Sequence, residues 1–599
     1  MCGIAGVIDY SNDTREYKNI YAEMIKRLSR RGPDANDMYL SGNASLLHAR
    51  LAVVDIENGK QPMRAGNCVI TYNGELYNTQ ELRNHLIAFG HTFETESDTE
   101  VLLHGYLEWG DKVVDKLNGI YAFAIWDEMR KNLFIARDRM GVKPFFYAIM
   151  GHKFIFGSEI KAILAHPSVP PNVDKEGLAD VMLIAPGRTP GKTPFKYIKE
   201  LKPGECGYID RNGLHKRRYW RILPKAHTQS FEETIEVVRY LLKDSIKRQT
   251  IADVPLCSFL SGGLDSSAIV ALSDVKNTFS VDYAEDEKYY VSNKFEPSSD
   301  RDYIDIMVKV FGLNHKTVML TADDLVDGLF EATRARDLPG MADVDSSLLL
   351  FAREVKKNAT VALSGECADE IFGGYPWYRD GNILNRQEFP WSNNIGYRAG
   401  FIKQAALEGI DPAEYVQKRY QATCDEAKGL ESDDQQNKRI REMFMLNTNW
   451  FMQTLLDRKD RCTMYSGLEG RVPFCDHRIA EYLYNVPWDF KNYKDREKGL
   501  LRESLEGILP KEILWRKKSP YPKTHHPAYY KRVSSILGDI ICNLNSPLLD
   551  VVDKKALENL LKTKDTGERF YGQLMTVPQT IAFFIQFNEW LLVNKVKFV

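Results

Sequence analysis

Short apolar runs of strand length dominate the chain from Cys2 to about Tyr219: CGIAGVI, ASLLHARLAVV, NCVITYNGE, YAFAIWD, NLFIARD, PFFYAIM and KFIFGSE. Asn-Gly, Arg-Asn-Gly and Pro-Gly sequences punctuate them, the pattern of strands joined by tight turns. Two patterns of helical period interrupt the series, around residues 17–31 and 99–117. Together they predict an α+β unit of layered antiparallel sheets between helices. A polar stretch, RILPKAHTQS at 221–230, then leads into a helix starting near Phe231, because Phe231, Ile235, Val238, Leu242 and Ile246 fall three and four apart. We place the domain boundary there: a first domain at 1–220, a linker at 221–230 and a second domain at 231–599.

The second domain opens differently. VPLCSFL reads as a strand, SGGLDSS as a glycine-containing turn and SSAIVALSD as the start of a helix. TFSVDY, KTVML and ATVALSG supply further short strands between helical segments. Strands alternating with helices predict a parallel sheet with ligands at the carboxyl ends of its strands. Beyond about Ile383 strand signals fade and helical patterns take over, giving an α/β domain with a helical C-terminal part. The chain shows no internal repeat and no low-complexity segment.

Composition changes this picture little. A length of 599 residues exceeds the ~150-residue single-domain prior about fourfold, in keeping with a multidomain chain. Lys+Arg 80 against Asp+Glu 82 leaves a net charge of −2, so no general electrostatic attraction to nucleic acid or an anionic membrane is expected. No run approaches the ~20 apolar residues of a membrane span, and MCGIAGVIDY lacks the basic and apolar segments of a signal peptide. The nine cysteines form no C-x-x-C pair and the twelve histidines no H-E-x-x-H, which disfavours a disulfide framework and a zinc site. A cytoplasmic protein in a reducing compartment is expected.

The loop Ser261-Gly262-Gly263-Leu264-Asp265-Ser266-Ser267 carries the clearest chemistry. Its glycines let the backbone approach a ligand, and the helix N-terminus and serine hydroxyls favour a phosphate-sized anion. Asp265 would repel that anion unless a cation, Mg²⁺, lay between them. The plain alternative is a strand-to-helix turn with an N-cap. Upstream, Gly187-Arg-Thr-Pro-Gly191-Lys192-Thr193 imitates a phosphate loop but has three residues between its glycines and is followed by Pro194. It is read as a surface turn.

SGGLDSS together with MCGIAGV resembles the glutamine-dependent asparagine synthetases of bacterial type, over essentially the whole chain and in the family's order. The resemblance implies an N-terminal-nucleophile glutaminase (type 2 glutamine amidotransferase) followed by an ATP-pyrophosphatase domain. Removal of Met1 would leave Cys2 with a thiol and an α-amine, the amine serving as base for its own nucleophile. Arg50-Leu51-Ala52-Val53-Val54 resembles the segment whose arginine holds the glutamine α-carboxylate. Asn73 and Gly74 would form the oxyanion hole, Glu75 would help to hold glutamine, and Asp98 would pair with its α-ammonium. Taken singly, Asn73-Gly74 is most simply a turn and Asp98 a helix N-cap. Arg31-Gly32-Pro33-Asp34 is a hallmark whose catalytic role does not follow from the residues.

In the second domain the resemblance implies an ATP site of Leu260, Ser261, Gly262, Gly263, Asp265, Ser266, Val281, Ser364 and Gly365. Glu366 would assist formation of β-aspartyl-AMP and the attack of ammonia, a role suited to a proton-accepting carboxylate. The sequence G-E-C-A-D-E stands where many relatives have G-E-G-S-D-E, so Cys367 replaces a glycine. Lys518 would steady the departing pyrophosphate, with Lys517 as the one-residue alternative. Asp265 and Asp337 would hold Mg²⁺, with Asp343 or Asp345 as substitutes for Asp337. Arg471-Val472-Pro473-Phe474 is a family signature expected to pack the domains together. The implied partners are glutamine, ATP and aspartate, and the oligomeric state, a homodimer included, stays open. A related amidotransferase acting on another carboxylate shares every one of these residues. A β-lactam-synthetase-like cyclase is disfavoured by Cys2, and a noncatalytic protein by the whole set.

Overall fold

The computed structural model describes residues 1–285, 288, 300–392, 394–519, 521, 524–563, 567–572 and 574–599. The first domain stacks two six-stranded sheets. One runs, in spatial order, Ile198–Glu200, Phe146–Met150, Lys153–Gly157, Gly3–Asp9, Ala44–Arg50 and Ala35–Leu40; the other runs Gly213–Arg218, Glu205–Asp210, Asn132–Arg137, Gly119–Asp127, Cys68–Leu76 and Met63–Ala65. All pairings in both are antiparallel. The strand Gly3–Asp9 is buried along its whole length, which the period of two explains. Ile4 and Ile8 join Trp126 and Ile135 of the other sheet in one core, while Ala5 and Val7 join Tyr21, Met24 and Leu28 of the helix Lys18–Leu28 in another. Helices covering the far face of the second sheet complete the layers, Leu82, Leu86 and Leu102 packing with Tyr72 and Phe123.

Ser230 caps the helix Phe231–Arg248 through a reciprocal capping box with Glu233. The second domain holds a five-stranded parallel sheet, ordered Asn314–Leu320, Asn277–Tyr283, Leu256–Phe259, Val361–Leu363 and Glu469–Arg471. Its last strand corrects the reading that strands end near Ile383. Three residues are too few to show a period, yet Glu469 pairs with Val361 and Arg471 with Leu363. A second late strand, Lys597–Phe598, pairs with Asn172–Val173 and ties the last residues described to the first domain. The phosphate-loop imitation at 187–193 is indeed a turn with no helix behind it, although Gly187 and Thr193 are buried rather than on the surface.

The domains meet across buried charge. The helix Met452–Tyr465 presents Asp460 to Arg31 at 2.7 Å and to Lys143 at 2.8 Å. Its Arg461 meets Glu159 at 3.2 Å and Asp337 at 3.3 Å, and its Asp457 meets Arg188 and Arg336, each at 3.1 Å. Asp337 belongs to this ionic seam. It lies in the left-handed region just after the helix Ala322–Arg336, held by Arg461 and by Lys161 at 3.1 Å, and it does not line the cavity at the carboxyl ends of the parallel strands. Neither substitute lines it: Asp345 pairs with Arg336 at 2.9 Å, and Asp343 accepts from Gln579.

His48, on the strand Ala44–Arg50, is buried with its Nε2 3.3 Å from the Tyr72 carbonyl oxygen, and burial pushes its pKa down to about 3. The folded protein therefore binds fewer protons than the unfolded chain between that value and the ordinary 6.5. Stability is complete above about pH 6.5 and falls toward pH 3, by up to ~1.4 kcal/mol per unit for this one group. The expected result is a lower unfolding midpoint at pH 5 than at pH 7, with a shallower pH slope for His48→Gln. Equal slopes for the two proteins would remove His48 as the cause.

Candidate active sites

The first site forms where the strands Gly3–Asp9 and Cys68–Leu76 lie in adjacent sheets. The Cys2 backbone N–H donates to Asn73 Oδ1 at 3.0 Å, and the Cys2 thiol points at the Leu51 carbonyl oxygen, 3.8 Å away. Asn73 Nδ2 is buried with no partner among the described residues, so the side chain that binds the Cys2 backbone also has an N–H to offer to a developing oxyanion. Asn73-Gly74 is no turn but mid-strand, and a side chain at Gly74 would come within 2.3 Å of the Ile120 carbonyl oxygen. Burial pushes the Cys2 thiol up, which leaves it dependent on a neighbouring base.

Groups able to hold an amino acid surround the sulfur. Arg50 is steadied by the carbonyl oxygens of Ile56 and Asp55, at 2.7 and 2.8 Å. Among the described residues no carboxylate pairs with it, so its charge is available to an α-carboxylate. Asp98 accepts from Tyr72 Oη at 2.8 Å and from the Leu76 N–H at 3.0 Å; it is the first residue of the helix Asp98–Trp109, and Ser97 is the cap. Burial raises the pKa of Asp98, and burial with Glu469 raises that of Glu75. Leu51, Ala52, Val53 and Val54 follow Arg50 as an irregular segment, anchored where the Ala52 N–H donates to Asp34 at 2.8 Å.

The hallmark arginine has a place that sequence reasoning missed. Arg31 is wholly buried and donates from Nε to the Cys2 carbonyl oxygen at 3.2 Å while gripping Asp460 of the second domain. It therefore fixes the nucleophile's strand to the partner domain. The sequence signal is a charge in an otherwise apolar neighbourhood, but its partner lies 429 positions away.

The second site is a cavity of about 310 Å³ at the carboxyl ends of the parallel strands. Leu260, Ser261, Gly263, Asp265, Ser266, Val281, Ser364, Gly365, Glu366 and Lys518 all line it. Gly262 stands behind them at φ +66°, pressed against Tyr303. Ser261 and Ser266 hydroxyls lie 3.1 Å apart across the loop that opens the helix Leu264–Leu272. Gly365 is a glycine because a side chain there would come within 2.9 Å of the Asp265–Ser266 backbone.

Two residues that the sequence reading did not place complete the polar end. Lys498 Nζ lies 2.7 Å from both oxygens of Asp265 and 2.9 Å from Asp369, and Lys518 Nζ lies 2.8 Å from Asp369. Against burial, which alone would raise it, the two ammonium groups hold Asp369 well below the usual carboxylate range. Two carboxylates thus already converge on one cation, the donor set that a hard divalent ion also takes. Lys518, not Lys517, makes the acidic contact, although both border the cavity.

Glu366 accepts from Arg458 at 3.0 Å, with Lys459 at 3.8 Å, and its other oxygen is buried with no hydrogen-bond partner among the described residues. The residue after it explains the glycine of relatives. Cys367 has φ +76° and caps the helix Ala368–Phe372, a conformation costing a side-chain-bearing residue about 1–2 kcal/mol. Cys367→Val, β-branched at this backbone, is expected to lose at least ~2 kcal/mol in urea unfolding, while Cys367→Gly stays within ~1 kcal/mol of the parent. Equal tolerance of both would show that the turn relaxes.

The asparagine synthase family model matches residues 237–592, and that of a glutamine amidotransferase domain matches residues 1–220. The chain is 48% identical to the glutamine-hydrolysing asparagine synthetase 3 of Bacillus subtilis (strain 168), covering 98% of both chains. It is 30% identical to asparagine synthetase 1 of the same organism, over 87% of each. A probable asparagine synthetase of Dictyostelium discoideum is 27% identical over 87% of this chain and 84% of its own. A buried thiol among groups able to hold an amino acid and a glycine-containing loop at a parallel sheet thus stand in a chain that matches these relatives over most of its length, and the chain belongs to the asparagine synthase family.

Proposed function

We propose that the protein amidates L-aspartate to L-asparagine, with ATP as activator and glutamine as nitrogen donor. The observation that carries this reading is the presence, in one chain, of a buried Cys2–Asn73 site and a separate phosphate-loop cavity in two domains joined by buried ion pairs. In the first domain, after loss of Met1, Cys2 attacks the glutamine amide held by Arg50 and Asp98. Asn73 and Gly74 receive the developing oxyanion, a glutamyl thioester forms, and the thiol proton leaves on ammonia. In the second domain the aspartate β-carboxylate attacks the α-phosphorus of ATP, giving β-aspartyl-AMP and pyrophosphate, and ammonia then displaces AMP.

Asp265 and Asp369 are the residues that would hold Mg²⁺, which when bound neutralises phosphate charge. Serines 261, 266 and 364 and the loop N–H groups bind phosphate oxygens, and Lys498 and Lys518 balance the charge of the leaving pyrophosphate. Glu366 accepts a proton from the attacking nitrogen on the oxygen that Arg458 does not hold. A cytoplasmic location suits an enzyme whose nine cysteines are all free thiols and whose nucleophile must stay reduced; among the described residues no helix is long and apolar enough to cross a membrane.

The test supplies the purified protein with ATP, Mg²⁺, glutamine and a panel of carboxylic acids, following AMP and amide. Aspartate is expected to yield asparagine and AMP in equal amounts. If another acid is amidated and aspartate is not, the acceptor is misassigned while the ATP and glutamine chemistry stands.

A further inference from the structure

Glu366 lines the cavity at the carboxyl ends of the parallel strands, and the helix Met452–Tyr465 brings two successive cations to it. Arg458 spends its charge there, its Nη2 donating to Glu366 Oε1 at 3.0 Å. Lys459 does not. Its Nζ lies 3.8 Å from the same oxygen, inside ion-pair range but too far for a hydrogen bond, and it stands over the face of Phe259, 4.3 Å from the ring centre. Among the described residues its ammonium finds no hydrogen-bond acceptor, although Lys459 is only 4% exposed and lines the cavity.

The other cations on the cavity wall differ. Lys498 lies 2.9 Å and Lys518 2.8 Å from Asp369, Arg502 lies 2.8 Å from Glu497, and Arg516 is held by Asp300; Lys517 is exposed. A buried ammonium with three N–H donors and no acceptor costs stability, so a lysine at this place suits an anion that enters the cavity.

We propose that Lys459 binds the α-carboxylate of the acceptor aspartate and sets the preference for an acid that carries a second carboxylate beside its amine. The inference rests on reading the chain as an aspartate-amidating synthetase. The two carboxyl carbons of aspartate are three bonds and at most ~4 Å apart. A β-carboxyl group beside Glu366 therefore places the α-carboxylate within reach of Lys459, itself 3.8 Å from that glutamate. Arg458 and Lys459 against Glu366 leave one positive charge, which the α-carboxylate balances. Only the β-carboxylate changes charge when AMP is attached and when ammonia displaces it. The contact to the α-carboxylate is thus equally strong in substrate and transition state, and its loss appears in KM rather than in kcat.

Lys459→Met keeps most of the side chain's bulk without its charge. With ammonium chloride as nitrogen source, KM for aspartate is expected to rise about thirtyfold, the loss of a charge-assisted hydrogen bond, while kcat stays within about threefold and KM for ATP within about twofold. β-Alanine, which is aspartate without the α-carboxylate, should be amidated no less well by the variant than by the parent, so the preference for aspartate over it falls by the same factor. Lys459→Arg is expected to recover part of that preference. The urea-unfolding midpoint of Lys459→Met should be no lower than the parent's, because the charge removed had no acceptor. An unchanged KM for aspartate overturns the proposal. So does an equal loss for β-alanine, a parallel rise of KM for ATP or a lower midpoint, each of which would show that Lys459 only shapes the cavity. A parent protein that amidates no aspartate, from ammonium or from glutamine, refutes the functional reading instead.

Discussion

Cys2→Ala is expected to abolish glutamine-dependent synthesis and to spare synthesis from added ammonia. The substitution removes the only atom that can form the thioester, so glutamate release should fall at least about a thousandfold. It removes little else. The Asn73 oxyanion contact, Arg50 and Asp98 stay in place, so glutamine still binds and its KM is the quantity expected to change least. The nucleotide cavity is lined without Cys2, and asparagine formation from ammonium, ATP and aspartate should therefore stay within about twofold. Glutamate and asparagine measured side by side check both halves. Loss of both activities would mean that Cys2 is needed for the seam, and persistence of both would remove it as nucleophile.

That two sites exist was legible in the sequence because their loops are local. SGGLDSS lies between a strand and a helix whose periods are visible, and Asn73-Gly74-Glu75 lies inside a run, NCVITYNGELY, that reads as a strand once the turn reading of Asn-Gly is set aside. What the sequence hid is the contact between domains. Arg31, Lys143 and Asp460 are ordinary charges to a pattern search, and only the fold brings them within 2.8 Å of one another's partner atoms. Lys498 sits in a charged run, KDREKG, where nothing marks it off from its solvated neighbours, yet it stands 2.7 Å from Asp265, 233 positions away. Glu469–Arg471 is too short for periodicity, so the last strand of the parallel sheet gave no signal. Asp337 shows the same limit from the other side. A carboxylate near a loop can be a metal ligand or half of an ion pair, and composition does not distinguish them; Lys161 and Arg461 do.

The interface charge leads to the other large effect. Asp460→Ala leaves Arg31 and Lys143, 0% and 1% exposed in their side chains, without the carboxylate that both share. Removing one partner from such a buried set is expected to cost about 3–5 kcal/mol, a large share of the ~5–15 kcal/mol that holds a typical protein folded. Lys143 suffers most, since Arg31 retains Glu159 at 3.3 Å. The loss also reaches the chemistry, because Arg31 released from Asp460 no longer fixes the Cys2 carbonyl oxygen, and glutaminase turnover should fall more than ammonia-dependent synthesis. Combining Asp460→Asn with Lys143→Met removes charge from both sides and should recover part of the stability lost by Asp460→Asn alone, a coupling that a double-mutant cycle in urea unfolding measures directly. A cost below ~1 kcal/mol for Asp460→Ala would show that water reaches the seam and replaces the carboxylate. A loss in the expected range, concentrated in glutaminase activity, would show that this ionic interface does what apolar packing alone does not: it fixes the angle between the domains, and with it the nucleophile's strand against the synthetase sheet.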